Sequence, residues 1–313
     1  MSGRDVTIHT GFVQAGNLRL HHTYAGKGTP AVVLVHGLGS SGYLEWRFNL
    51  AALAGSRRVL APDLPGFGRS EKPRASYGVP LFTRALERSL EAVRLKPVTM
   101  VGASLGGRVV IEFALRYPDR LERLVLVNAF GLGLPRFQLG YPLVTVPRLG
   151  EAVLLLARSA LRYASPDVVR RLVGRYMHPS GDLERTIDDA YLADLLELHE
   201  AEGYHDAYLA TVRSLSRPGT LLAGRDLVPR LARTGLPVLL VWGAEDPLFP
   251  LEHAERAHRE LPGSRLAVLE GAGHTPQAER PDEFNSVVES FLGQRTQRIR
   301  SRARAGQGRR RSA

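Results

Sequence analysis

The sequence predicts an α/β protein: a mostly parallel, doubly wound sheet with an inserted helical cap. Two observations predict it. Short runs rich in Val and Leu, set beside Gly or Pro, alternate with longer stretches of helical periodicity. Such alternation builds parallel sheets covered on both faces. The alternation then stops near Asn128 and resumes near Asp226, and about ninety residues between them carry helical patterns only.

In chain order, Phe12–Gln14 and Leu18–Tyr24 flank Ala-Gly-Asn and predict an antiparallel hairpin at the sheet edge. Six buried strands are expected at Ala31–Val35, Arg58–Ala61, Val98–Val101, Arg123–Val127, Val238–Val241 and Arg265–Leu269. Helices are expected between and after them at Leu44–Leu53, Leu81–Arg94, Leu105–Tyr117, Leu251–Leu261 and Asp282–Leu292. In the third, Leu105, Val109, Phe113 and Tyr117 make one apolar stripe. The interruption reads as four helices, Glu151–Tyr163, Pro166–Tyr176, Leu183–Glu200 and His205–Leu215. The expected organisation is a core of residues 1–129 and 226–293, a cap of residues 130–225 and an unfolded tail of residues 294–313.

Composition narrows the function classes. The chain of 313 residues is 44% hydrophobic and 23% charged, the profile of a globular protein. It has no cysteine, which excludes disulfides, thiolate metal sites and a cysteine nucleophile. Of the formal charge of +11, eight positive charges are arginines at 295 and beyond, so the rest carries only +3. A basic groove for specific nucleic-acid binding is therefore not expected, and the tail lacks aromatic residues for stacking on bases. A weak, non-specific contact of the arginine-rich tail with anionic partners is expected instead. Residues 1–16 lack a signal-like apolar stretch, and Pro142–Leu161 is interrupted by Arg148, Glu151 and Arg158. The expectation is a soluble, cytoplasmic protein. No Rossmann fingerprint, P-loop or metal-ligand helix motif is present, so no cofactor is implied.

The chemistry-bearing residues lie just beyond strand ends. Gly102-Ala-Ser104-Leu-Gly106 is a Gly-x-Ser-x-Gly pentapeptide between a predicted strand and a predicted helix. That is the context of a nucleophile elbow, which lifts the serine hydroxyl above the sheet. Chance alone supplies about 0.2 such pentapeptides in a chain of this composition, so the context carries the reading. A serine needs a base. His274 sits in a Gly-flanked loop after the last strand; His9, His21 and His22 lie by the hairpin, His253 and His258 on a helix, and His178, His199 and His205 in the cap. The base needs an acid to fix its tautomer. Asp246 follows Val238–Val241 and precedes Pro247, which favours an extended loop; Glu245 is the alternative. His36-Gly37-Leu38-Gly39 ends the first core strand. The backbone amides of Leu38 and Leu105 are the expected oxyanion donors, with His36 holding the loop.

These four motifs, in the order Ser, Asp, His, resemble the α/β-hydrolase superfamily over Phe12 to Leu292. Asp63-Leu-Pro-Gly66-Phe-Gly68-Arg-Ser70 resembles that family's turn after the fourth strand, with Asp63 structural. Pro276, Glu279, Pro281 and Phe284 resemble its run after the catalytic histidine. The resemblance implies a serine esterase-like hydrolase acting on a small hydrophobic ester. Haloalkane dehalogenases and epoxide hydrolases have aspartate where this chain has Ser104. Carbon–carbon bond hydrolases of aromatic ring-fission products usually have Gly-x-Gly-Pro-Gly, Asn-Ser-Met-Gly-Gly and a tryptophan after the histidine. Here those places read Gly37-Leu-Gly-Ser-Ser, Ala103-Ser-Leu-Gly-Gly107 and Thr275. That activity is the first alternative, with Arg213 the best-placed cation for a dienol carboxylate. A cofactor-free haloperoxidase or perhydrolase and a non-catalytic small-molecule binder are the others.

Overall fold

A computed structural model describes residues 6–294, apart from 30, 56, 137–140, 176, 178–180 and 223–226. Its centre is an eight-stranded sheet of β1 (Ile8–Ala15), β2 (Leu18–Ala25), β3 (Ala31–Val35), β4 (Val59–Pro62), β5 (Val98–Ala103), β6 (Leu121–Val127), β7 (Val238–Gly243) and β8 (Arg265–Leu269). The strand order is β1-β2-β4-β3-β5-β6-β7-β8. β1 and β2 form the antiparallel hairpin, and β2 meets β4 antiparallel. From β4 to β8 all pairs are parallel, so the C-terminal ends of β3, β5, β6, β7 and β8 share one rim.

The continuous apolar runs are explained by the two covered faces. Along β3, Ala31, Val33 and Val35 face one core, packed with Phe82, Val109 and Phe113. Val32 and Leu34 face the other, packed with Leu50, Phe284 and Val288. Helices Val79–Ala92 and Leu105–Arg116 cover the first face; Leu50–Leu53 and Pro281–Leu292 cover the second.

Between β6 and β7 no described residue is in a strand. The chain runs through helices Tyr141–Thr145, Leu149–Tyr163, Pro166–Gly174, Leu183–Thr186, Asp189–Glu200, Tyr204–Leu215, Pro218–Leu222 and Leu227–Ala232. The helix expected over Leu183–Glu200 is two helices. Asp188 adopts an extended conformation and its carboxylate accepts from the Tyr191 amide, which starts a new helix there. The helix expected over Leu44–Leu53 is also two, Gly42–Trp46 and Leu50–Leu53. Asn49 lies between them, its amide donating to Gln277 O and to Asn285 Oδ1. The predicted end at Tyr176, His178, the boundary at 225/226 and tail residues 295–313 lie outside the described residues.

Contacts among the described residues tie the helical insertion to the core. Arg47 pairs with Asp188 at 2.9 Å, Arg69 pairs with Glu197 at 3.1 Å, and Tyr204 donates to the Gly39 carbonyl at 2.8 Å. The last places an insertion helix directly on the loop after β3.

Candidate active site

The rim is assembled from the sheet outward. Ser104 joins β5 to helix Leu105–Arg116 with φ 51° and ψ −116°, a backbone region that costs a non-glycine residue about 1–3 kcal/mol. Its amide donates to Val127 O and its carbonyl accepts from the Phe130 amide, so the end of β6 holds the strained turn. The turn is possible because of the flanking glycines. A Cβ on Gly102 would sit 2.5 Å from Gly106 O, and one on Gly106 would sit 2.2 Å from Val35 O. A Cβ on Gly37 would lie 3.3 Å from Ser104 Cβ, so the loop after β3 packs directly on the elbow.

His36 anchors that loop. The Leu64 amide donates to its Nε2 at 2.9 Å, so Nδ1 carries the proton and donates to Gly37 O at 2.7 Å. Complete burial lowers its pKa and keeps it neutral. Asp63 fixes the neighbouring turn, accepting from the amides of Gly42 and Arg69 and from His21 Nδ1. Burial opposes its charge, but these partners hold its carboxyl below the usual range. The amide of Leu105 is the first of a helix and has no partner one turn back. Leu38 lies two residues beyond His36, in the loop on the elbow.

Beyond β7 and β8 the structure brings Asp246 and His274 together. His274 Nδ1 donates to Asp246 Oδ2 at 2.9 Å, leaving Nε2 as the acceptor on the other side of the ring. Burial pulls the imidazole pKa down, but Asp246 outweighs it and raises the pKa above the ordinary value. Asp246 is nearly fully buried; its Oδ1 accepts from the amides of Leu248 and Phe249. Burial works against its charge as well, yet His274 and these donors hold it below the usual carboxylate range. Glu245 takes another course: its carboxylate accepts from the Gly271 amide, at the turn leaving β8. The Phe249 ring packs on the His274 imidazole, with centroids 5.3 Å apart.

One residue of this arrangement has no sequence motif. Asn128, at the end of β6 with φ 40°, donates its side-chain amide to Asp246 Oδ2 and accepts from the Gly243 amide at 3.1 Å. Its own amide donates to Val241 O. It therefore links the strand end that holds Ser104 to the acid that holds His274. Glu279 does similar work for the histidine loop, accepting from the amides of Gly273 and Thr275, each at 2.9 Å.

Arg213 is placed differently from the sequence expectation. Its guanidinium pairs with Glu151 at 3.0 Å and donates to the carbonyls of Thr145 and Val146, joining three insertion helices. Among the described residues, no group of three or more metal-ligating side chains converges.

The sequence profile of the α/β hydrolase fold family matches residues 30–281. The chain is an α/β hydrolase. This hydrolase is 34% identical over 271 residues to an uncharacterized protein of Mycobacterium tuberculosis, with 86% of the chain and 76% of that protein covered. It is 29% identical over 283 residues to the 2-hydroxy-6-oxo-6-phenylhexa-2,4-dienoate hydrolase of Burkholderia cepacia, covering 88% of the chain and 92% of that enzyme. Its fold is similar to that of a serine hydrolase involved in carbazole degradation, with a TM-score of 0.76 and 25% identity over 92% of the chain and all of that structure.

Proposed function

We propose that this α/β hydrolase is a serine hydrolase acting on small hydrophobic carboxylic esters through Ser104, His274 and Asp246. The observation that carries the reading is the Asp246–His274 hydrogen bond, set at the same sheet rim as a strained serine. In the proposed cycle His274 Nε2 takes the Ser104 hydroxyl proton as Oγ attacks the carbonyl carbon. The amides of Leu38 and Leu105 receive the oxyanion. His274 then gives the proton to the departing alkoxide, leaving an acyl-serine. Water, deprotonated by His274, releases the acid and restores Ser104. The helical insertion acts as a cap: Tyr204 and Tyr208 lie against Gly39, so aromatic surface bounds the loop that carries the Leu38 amide.

A second reading, hydrolysis of a ring-fission product at a carbon–carbon bond, is favoured by the relatives named as hydrolases of 2-hydroxy-6-oxononadienedioate and 2-hydroxy-6-oxo-6-phenylhexa-2,4-dienoate. It ranks second because Arg213, the cation expected to hold a dienol carboxylate, pairs with Glu151 and donates to the carbonyls of Thr145 and Val146. A fluorophosphonate probe tests the shared chemistry: it is expected to label the parent protein and not Ser104→Ala. Labelling of Ser104→Ala would overturn the nucleophile. A panel of ester chain lengths beside a ring-fission diketone then separates the substrates. Faster cleavage of the diketone than of every ester would make the second reading the correct one.

A further inference from the structure

Helix Leu149–Tyr163 is apolar on both sides. Leu154 is buried inward, whereas Leu155, Leu156 and Tyr163 on the outer side are 61%, 71% and 80% exposed. Leu149 continues the outer face, and Leu143 and Val146 extend it from the segment packed against the helix start. A soluble helix ordinarily turns polar residues outward, and a contiguous apolar face of this kind marks an interaction surface.

Charge identifies the partner. Residues 141–175 contain six arginines, at 148, 158, 162, 170, 171 and 175, against Glu151 and Asp167, a net of +4. The chain up to Gln294 carries +3, so everything in it outside this segment sums to −1. Glu151 pairs with Arg213, Arg162 with Glu200, and Arg170 with Asp167 and Asp189, so the excess is carried by the remaining arginines of the segment. Exposed leucines and a terminal tyrosine among arginines are the composition of a helix lying in the interface of an anionic bilayer. A second copy fits less well, because a two-fold contact would set the same arginines against each other. No described helix is long and apolar enough to cross a membrane, so the contact is peripheral.

We infer that the outer face of helix Leu149–Tyr163, with the residues just before it, docks on an anionic lipid surface. The proposal does not depend on the catalytic reading. The arginine-rich tail is an expected second source of lipid attraction, and it follows Gln294, whose carbonyl Arg123 holds near the start of β6, at the sheet end opposite Ser104.

The test is co-sedimentation of the full chain with phosphatidylcholine vesicles, with and without phosphatidylglycerol, comparing the parent with a Leu155→Ser, Leu156→Ser, Tyr163→Ser variant. These side chains are solvent-exposed, so an unchanged circular dichroism melt is expected. Binding that needs phosphatidylglycerol and falls at least roughly tenfold in the variant is the expected result. Equal binding by the variant would assign lipid attraction to the tail and overturn the proposal. So would a parent dimer, seen by analytical ultracentrifugation, that the variant loses. Hydroxyl-radical footprinting of the unaltered chain gives a second reading: vesicles should protect Leu155, Leu156 and Tyr163, and absence of that protection would also overturn it.

Discussion

At His274 burial and charge pull in opposite directions, and the outcome sets a pH dependence. Asp246 wins, so the folded imidazole holds its proton to a pH above the ordinary 6.5. A base must be neutral to act. The rising limb of kcat/KM is therefore expected at a pH above 6.5, and a limb below 6.5 would contradict the pairing. Asp246→Asn should lower turnover by roughly 10⁴, as the wrong histidine tautomer does in other triads, while Glu245→Gln should leave it nearly unchanged. Asn128→Ala removes the donor from Asp246 Oδ2 and the acceptor for Gly243. A fall of about ten- to a hundredfold in kcat, with KM little altered, is the expected signature of a positioning residue. The turn at Ser104 and the pairing of Asp246 with His274 were legible because each motif sets a polar side chain among turn-forming neighbours just past an apolar run. Asn128 was not, since Asn-Ala after a strand has no signature; only the folded sheet reveals that its side chain spans β6 to β7.

Among the elements, the loop after β8 shows how a short helix positions a side chain. Pro276–Glu279 turns the chain back so that Glu279 receives the amides on either side of His274. Glu279→Ala leaves two amides seeking other partners and frees the imidazole to tilt. Turnover should drop at least tenfold and fluorophosphonate labelling should slow in parallel; unchanged labelling would show that the loop holds itself. The core strands were readable because burial on both faces demands continuous apolar runs, which leaves little ambiguity in β3, β5, β6 and β7. The insertion was harder. Nothing in the apolar spacing of residues 183–200 marks the break at Asp188, which exists because that carboxylate caps a helix and pairs with Arg47. Pro142 and Pro218 hid the short helices Tyr141–Thr145 and Pro218–Leu222, each with proline in its first turn, where the missing N–H costs nothing.

For the whole molecule, buried neutral histidines set the response to acid. Burial lowers His22 to about 4, His199 to about 4, and His36 in the same direction. The unfolded chain binds protons at these positions from about pH 6.5 downward, before the folded one does. Stability is therefore complete above that pH and falls as pH drops toward 4, His22 alone contributing about 3 kcal/mol of the loss. Asp63 and Asp246, held below the usual range, add to the loss at still lower pH. His274 has the opposite sign: its contribution is complete below pH 6.5 and fades as pH rises through its raised value. The urea midpoint should therefore fall clearly between pH 7 and pH 4.5, and a flat profile would mean that these rings are not held neutral. The polarity of the parallel sheet has a practical consequence. The elbow opens at one end of the strands, while Arg123 fixes the Gln294 carbonyl about 16 Å back along β6 toward the other. A cation-exchange bead that captures the chain by its last residues would thus meet the blunt end of the sheet. Captured in that way, the protein would turn Ser104, the proposed nucleophile, toward the flowing solution, without an added tag.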